Sequence, residues 1–218
     1  MKFTMKKPII IAFSGGCFSG KTSTIEALKK FFDTKSTQVI VLSELLRKVT
    51  KLPISEMRKY QNSYFEFEKK IISEKINQEE NVKKQLYQDC VVLVDRALTD
   101  SLFYYENYIN TNEFVSQKAL ESYYKFHKYL ISKVIEHFKY VYNLVIEFKP
   151  LNASYNESKY RPNDVRLSNK YEYECIKRLN FYYSINTGTK FLYADLSSSN
   201  SNDLIHTILK AINYEKTI

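Results

Sequence analysis

The chain has 218 residues, of which 44% are hydrophobic and 15% aromatic, and a formal net charge of +9. Those values are the ones of a globular protein, and they support one domain spanning residues 1–218 with a substantial core. They argue against membrane, secreted and disulfide-stapled classes. No apolar run approaches the length of a bilayer span, and Ile9–Phe13 is too short for a signal-peptide core. The cysteines at 17, 90 and 175 have neither disulfide-framework nor zinc spacing. A reduced, cytoplasmic setting is the expectation. The positive charge is mostly lysine spread along the chain, which reads as a solvated surface before it reads as a tract for a polyanion.

The first predicted element is a buried parallel strand, Pro8–Ser14, an apolar run closed by a glycine loop. That loop, Gly15-Gly16-Cys17-Phe18-Ser19-Gly20-Lys21-Thr22, fits the pattern of glycine, four residues, glycine, lysine and Ser/Thr. It holds three of the 4 glycines in the whole chain. Glycine lets successive backbone N–H groups point inward as an anion nest, and the next helix adds its positive end. In such a loop Lys21 reaches the β- and γ-phosphates of a nucleotide, and the Thr22 hydroxyl binds Mg²⁺. Gly15 to Ser23 is therefore the candidate nucleotide-binding segment. Cys17 within it reads as a small residue at a variable loop site before it reads as a redox centre. A helix over 22–32 follows, with Ile25, Leu28 and Phe32 on one face.

A second strand is expected at Gln38–Leu42, followed by Ser43, Glu44 and Arg47. A long helical region follows Pro53, where Tyr60, Tyr64, Phe67, Ile71 and Ile72 stand near helical spacing. Cys90–Val94 is a third strand, followed at once by Asp95 and Arg96. Helices are expected at about 99–109 and 113–138, and a fourth strand at Tyr140–Phe148. A polar segment with Lys159, Arg161, Asp164 and Arg166 comes next. A fifth strand, Lys190–Leu196, a polar turn and a closing helix, Asp203–Ile212, complete the chain. Alternating strands and helices make the fold class α/β. The histidines at 127, 137 and 206 read as helix-surface residues, and the aromatics from Tyr123 to Phe138 as core packing.

Ligands of a parallel sheet collect at the carboxyl ends of its strands. The chemistry-bearing residues fall there. Asp95, after four apolar residues, can hold Mg²⁺ or take a proton from an attacking hydroxyl; its plainer reading is a helix cap. Arg96 can fork onto phosphate or simply pair with a carboxylate. Glu44 can bind a sugar hydroxyl or act as general base, and Arg47 lies one turn on. The chain has six arginines against 27 lysines, and four of the six, Arg47, Arg96, Arg161 and Arg166, follow strands. No Asn-Lys-x-Asp guanine motif is present, which argues against a GTPase.

With these residues the sequence resembles the small P-loop kinases of nucleosides and nucleotides. Ile11–Gly16 leading into Gly20-Lys21-Thr22 looks like their first strand and loop. Val94-Asp95-Arg96-Ala97-Leu98-Thr99-Asp100-Ser101 looks like the Asp-Arg box of thymidylate kinases and of related AAA-domain ATPases. Asn163-Asp164-Val165-Arg166 resembles the Asp-Gly-Val/Leu-Arg segment of those ATPases and of ribosylnicotinamide kinase, with Val165 in place of glycine. The resemblance implies a three-layer sandwich, a five-stranded parallel sheet in order 2-3-1-4-5, and a lid at about 149–170. It implies ATP- and Mg²⁺-dependent transfer to a nucleoside, a nucleotide or a similar small molecule. In that reading Lys21, Asp95, Glu44, Arg161 and Arg166 are catalytic, Glu44, Arg47 and Arg96 meet the acceptor, and Thr22 and Asp95 hold the metal. The alternatives are a polynucleotide acceptor and an ATP-dependent switch. A homodimer is admitted as an assembly; a membrane partner is not expected.

Overall fold

Five short apolar runs pair side by side because each can satisfy its backbone only against another. The computed structural model describes residues 8–16, 19–43, 61–84, 90–109, 114, 116–151, 169–197 and 201–214. Its elements are β1 (Ile9–Ser14), α1 (Lys21–Thr34), β2 (Gln38–Leu42), α2 (Gln61–Lys84), β3 (Cys90–Asp95), α3 (Leu98–Tyr108), α4 (Gln117–Glu136), β4 (Leu144–Phe148), α5 (Asn169–Thr187), β5 (Lys190–Ala194) and α6 (Ser201–Ala211). All five strands are parallel, in the order β2-β3-β1-β4-β5. The α/β class and the strand order are those the sequence and its resemblance predict.

Side-chain alternation along the strands sorts the core into two layers. Ile10, Ala12, Val92, Val94 and Val145 pack under α2, α3, α4 and part of α5. Ile11, Phe13, Val91, Leu93, Leu144, Ile146 and Phe148 pack under α1 and α6, meeting Ile25, Leu28, Phe32, Leu204 and Ile208. Each fully buried aliphatic or aromatic side chain contributes roughly 1.5–3 kcal/mol through removal from water. Among the described residues, no helix is long and apolar enough to cross a membrane.

The register sets what stands at the carboxyl edge. Phe13 lies opposite Asp95, and Ser14 opposite Glu147. By alternation Ser14 and Glu147 face the α2–α5 layer, whereas Asp95 faces the α1 layer.

Several expectations are corrected. The stretch Tyr140–Phe148 is a strand only from Leu144; His137–Val141 forms a π-helical turn that extends α4. That turn rotates the helix by an extra residue. It carries His137 inward, so His137 is fully buried and not a surface residue. His127 is half-buried and His206 exposed. No element is expected from the sequence over the stretch that forms α5, a helix of 19 residues. Its inner face carries Glu172, Asn180 and Ser184 beside Tyr173, Ile176 and Tyr183, while Phe181 and Tyr182 are exposed. Half of that inner face is polar, which erases the periodicity from which a helix is read. Of the aromatics from Tyr123 to Phe138, expected as core packing, Tyr123, Phe126 and Phe138 are core residues, whereas Tyr124 and Tyr129 are exposed.

Candidate active site

The edge formed by the ends of β1, β3 and β4 is built around the glycine loop. Gly15 has φ +121°, and a Cβ there would come within 2.5 Å of the Phe148 carbonyl oxygen. Gly20 has φ +88°, and a Cβ there would meet Leu196 at 2.4 Å. Gly15 demands glycine on two counts, backbone angle and the fixed Phe148 carbonyl, and Gly20 demands it by backbone angle. Gly20 also stands as the N-cap of α1 with no side chain capping it. The first-turn amides of α1 are thus left for a ligand, as in an anion site at a helix N-terminus.

Lys21 is buried, and its ammonium lies over the loop. It donates to the Gly15 carbonyl at 2.8 Å, to the Gly16 carbonyl, and to Ser19 Oγ at 3.0 Å. Ser19 Oγ in turn donates to the Gly16 carbonyl at 2.9 Å. Thr22 and Ser23 sit exposed on the first turn of α1. Asp95, half-buried at the end of β3, is on the same layer of the sheet as α1. Thr22 and Asp95 are hard oxygen donors of the kind Mg²⁺ takes when phosphates and water complete its shell.

The opposite wall starts at Arg96. Its φ of +78° is left-handed, and its amide donates to the Phe13 carbonyl at 2.9 Å, turning the chain sharply from β3 into α3. The guanidinium donates to Tyr104 Oη at 3.0 Å and reaches Asp100 at 3.4 Å. Tyr104 in turn donates to Glu172 of α5 at 2.5 Å. Glu172 borders the loop, its carboxyl oxygen 3.4 Å from where a Cβ on Gly16 would stand. A cation, a phenol and a carboxylate in series can hold hydroxyls or phosphate oxygens beside the nest.

Beneath the loop are two further acids. Asp100 accepts from the Ser14 hydroxyl, and from the Gly15 amide at 3.3 Å. Burial pushes its carboxyl up to about 6 against the pull of Arg96 and Lys21. Glu147, at the end of β4, is pushed up to about 8, first by burial and then by the neighbouring Asp100. Asn180 of α5 donates to Glu147 and to Ser14 Oγ.

The structure therefore brings together Gly15, Gly16, Ser19, Gly20, Lys21, Thr22, Ser23, Asp95 and Arg96. Cys17, Phe18, Glu44, Arg47, Arg161 and Arg166 lie outside the described residues, as does most of the expected lid. Sequence reasoning missed Asp100, Tyr104, Glu147, Glu172 and Asn180 as site residues. Glu147 had a legible signal, a lone charge inside the apolar run Leu144–Phe148. Glu172 and Asn180 had none, because their helix was unrecognised.

A family model described as an AAA domain matches residues 10–180, from β1 through most of α5. The chain belongs to that AAA domain family. No curated protein matches it. Among solved structures it is similar to the NadR protein in complex with NAD and AMP-PNP. The likeness has a TM-score of 0.59 at 11% identity, over 97% of this chain and 51% of that one. This member of the AAA domain family thus spans about half the length of NadR. It is also similar to deoxyadenosine kinase from M. mycoides with bound dATP, with a TM-score of 0.58 at 16% identity, over 94% of this chain and 100% of the other. The same kinase with dCMP as product gives 0.55 at 15% identity. These likenesses show that the chain shares its fold with NadR and with deoxyadenosine kinase.

Proposed function

We propose that this chain transfers the γ-phosphoryl group of ATP to a hydroxyl or phosphate oxygen of a nucleoside, a nucleotide or a similar small molecule. The observation that carries the reading is the loop Gly15–Thr22, with an uncapped helix end, an ammonium over its glycines and a polar wall of Arg96, Tyr104 and Glu172 facing it. The fold likeness to NadR and to deoxyadenosine kinase supports the same class. The whole chain acts as one domain, in the cytoplasm.

In this reading the loop amides and Lys21 bind the β- and γ-phosphates, and Lys21 exchanges its carbonyl partners for phosphate oxygens. Thr22 and Asp95 would hold Mg²⁺, which neutralises charge on the phosphates. An acceptor oxygen attacks the γ-phosphorus, the bond to the β-bridging oxygen breaks, and ADP leaves. The acceptor proton passes to Asp95 or to Glu44. Arg96 binds acceptor or transferring phosphate, Arg47 the acceptor, and Arg161 and Arg166 close over the equatorial oxygens from the lid. Glu172 and Tyr104 orient the acceptor's hydroxyls.

The test is a phosphoryl-transfer screen with labelled ATP over nucleosides, nucleoside monophosphates, nicotinamide riboside and oligonucleotides. Transfer to at least one small acceptor is expected, and Lys21→Ala is expected to lower it by on the order of a hundredfold or more with an unchanged melting temperature. Near-parental turnover in Lys21→Ala overturns the assignment. The net charge of +9 favours a polynucleotide as the second reading. Transfer confined to oligonucleotides, with affinity falling steeply with salt, would establish it.

A further inference from the structure

Two acids lie where the fold admits no solvent, and the phosphoryl-transfer steps above use neither. Asp100 comes from α3 and Glu147 from β4, and both are fully buried. A buried carboxylate is costly unless donors surround it. Here the donors are divided unequally. Asp100 receives three. The Ser14 hydroxyl donates to one oxygen, while the Gly15 amide at 3.3 Å and the Arg96 guanidinium at 3.4 Å donate to the other. Among the described residues Glu147 receives a full hydrogen bond from Asn180 Nδ2, with Ser14 a weaker neighbour, and its Oε1 has no hydrogen-bond partner.

Asn180 joins the two halves. Its Nδ2 donates to Glu147 and, at 2.6 Å, to Ser14 Oγ, while its Oδ1 accepts from Thr99. Ser14 Oγ accepts from Asn180, so its own hydrogen goes to Asp100. The acid with three donors is the carboxylate, and the acid with a bare oxygen is the neutral one. Burial acts in the same sense, lifting Glu147 to about 8 but Asp100 only to about 6.

What this network grips is the first peptide of the phosphate loop. Ser14 ends β1 and Gly15 begins the loop. Glu147 Oε1 and the Phe148 carbonyl stand 3.3 Å and 2.5 Å from where a Cβ on Gly15 would be. Gly15 is therefore confined by Asp100 through its amide and by β4 at its Cα. We infer that Asp100, linked through Ser14 and Asn180 to a neutral Glu147, is a positioning residue that fixes the Ser14–Gly15 turn and thereby the aim of the loop amides. Its consequence for turnover rests on the nucleotide-binding reading, whereas the clamp belongs to the chain without ligand. Among the described residues, the other charged or titratable groups near the network are Arg96, at the turn into α3, Lys21 of α1, Tyr104 of α3, Tyr142 before β4 and Tyr173 of α5. Glu172 of α5 approaches the next glycine, Gly16.

The experiment follows hydrogen exchange of the Gly15 amide in the full chain, from below pH 6 to above pH 8, beside a direct MgATP titration. In the parent the protection factor should stand at neutral pH and fall as Asp100 takes a proton near 6. Asp100→Asn should lower it about tenfold or more at neutral pH, because an amide in place of the carboxylate cannot accept from all three donors. The same variant should weaken MgATP binding. Glu147→Gln should keep the protection, since one neutral group replaces another. Parental protection in Asp100→Asn, or an equal loss in both variants, overturns the inference. If Asp100→Asn does not fold, Ser14→Ala decides. Removing one donor to the anion should move the midpoint of protection to higher pH, and an unmoved midpoint sinks the clamp. A parent that shows the clamp but does not bind MgATP refutes the phosphoryl-transfer reading and leaves the clamp standing.

Discussion

A carboxyl group that keeps its proton at neutral pH leaves a trace in stability. Glu147 rises from 4.5 to about 8 in the fold, chiefly through burial. Above 4.5 the unfolded chain releases that proton while the folded chain retains it. The folded state then binds more protons, so stability falls as pH rises, until Glu147 ionises in the fold near 8. Asp100, raised from 3.8 to about 6, adds a slope of the same sign over its own lower window. Glu147→Gln has no proton to lose. Its unfolding free energy, from urea titrations at stepped pH, should lose the decline between about 6 and 8 and keep only the lower one. A variant whose pH dependence overlays the parent's would show that Glu147 is ionised in the fold. At the same scale, Gly15 is fixed by a neighbour that the sequence does not name, the Phe148 carbonyl.

The helix that carries Asp100 and Tyr104 owes its placement to a phenol from elsewhere. α3 starts after Ala97 with no side-chain cap of its own. The Leu98 amide donates to the Tyr142 hydroxyl at 3.2 Å, and that hydroxyl donates to Glu79 of α2 at 2.7 Å. Lys75 pairs with Glu79 at 2.7 Å, and His137 Nε2 stands 3.6 Å from it. His137 is held below its usual range by burial, so it is a neutral ring against that carboxylate. One hydroxyl thus ties α2, the π-helical turn and α3 together. Tyr142→Phe keeps the ring's packing but strands a buried amide and a buried acid. The expected cost is about 1–3 kcal/mol, read as a lower urea midpoint with an unchanged slope. A parental midpoint would mean that water replaces the phenol. α5 shows the opposite relation between element and sequence. Its polar inner stripe, Glu172 and Asn180, is what closes the site and also what hides the helix from a search for apolar period.

At the scale of the molecule, β1 sits between β3 and β4, so strands from both halves of the chain meet at the centre of one sheet. Both core layers draw strands from each half, and neither half can bury its apolar face alone. The chain should therefore unfold in a single transition. Calorimetric and van't Hoff enthalpies should agree for the ligand-free protein, and two resolved transitions would refute the one-domain reading. The strands, α1 and the loop Gly15–Thr22 were legible because each is a local pattern: an apolar run, a helical stripe, glycines at fixed spacing. The proposed class of chemistry rests on that loop, since a nest of amides with a lysine suits phosphate wherever it stands. The strand order came only through resemblance and is borne out by the pairing. The acids that underlie the loop were not legible, because their roles arise from neighbours 33 to 166 positions away in sequence. Sequence by itself determined that this protein is an α/β chain with a glycine-rich loop between its first strand and first helix. Only the tertiary structure decided which carboxyl groups are buried beneath that loop, which one has enough donors to carry charge, and which helix brings Glu172 to its rim. Protonation and reach depend on distance in space, and a linear pattern does not encode that distance.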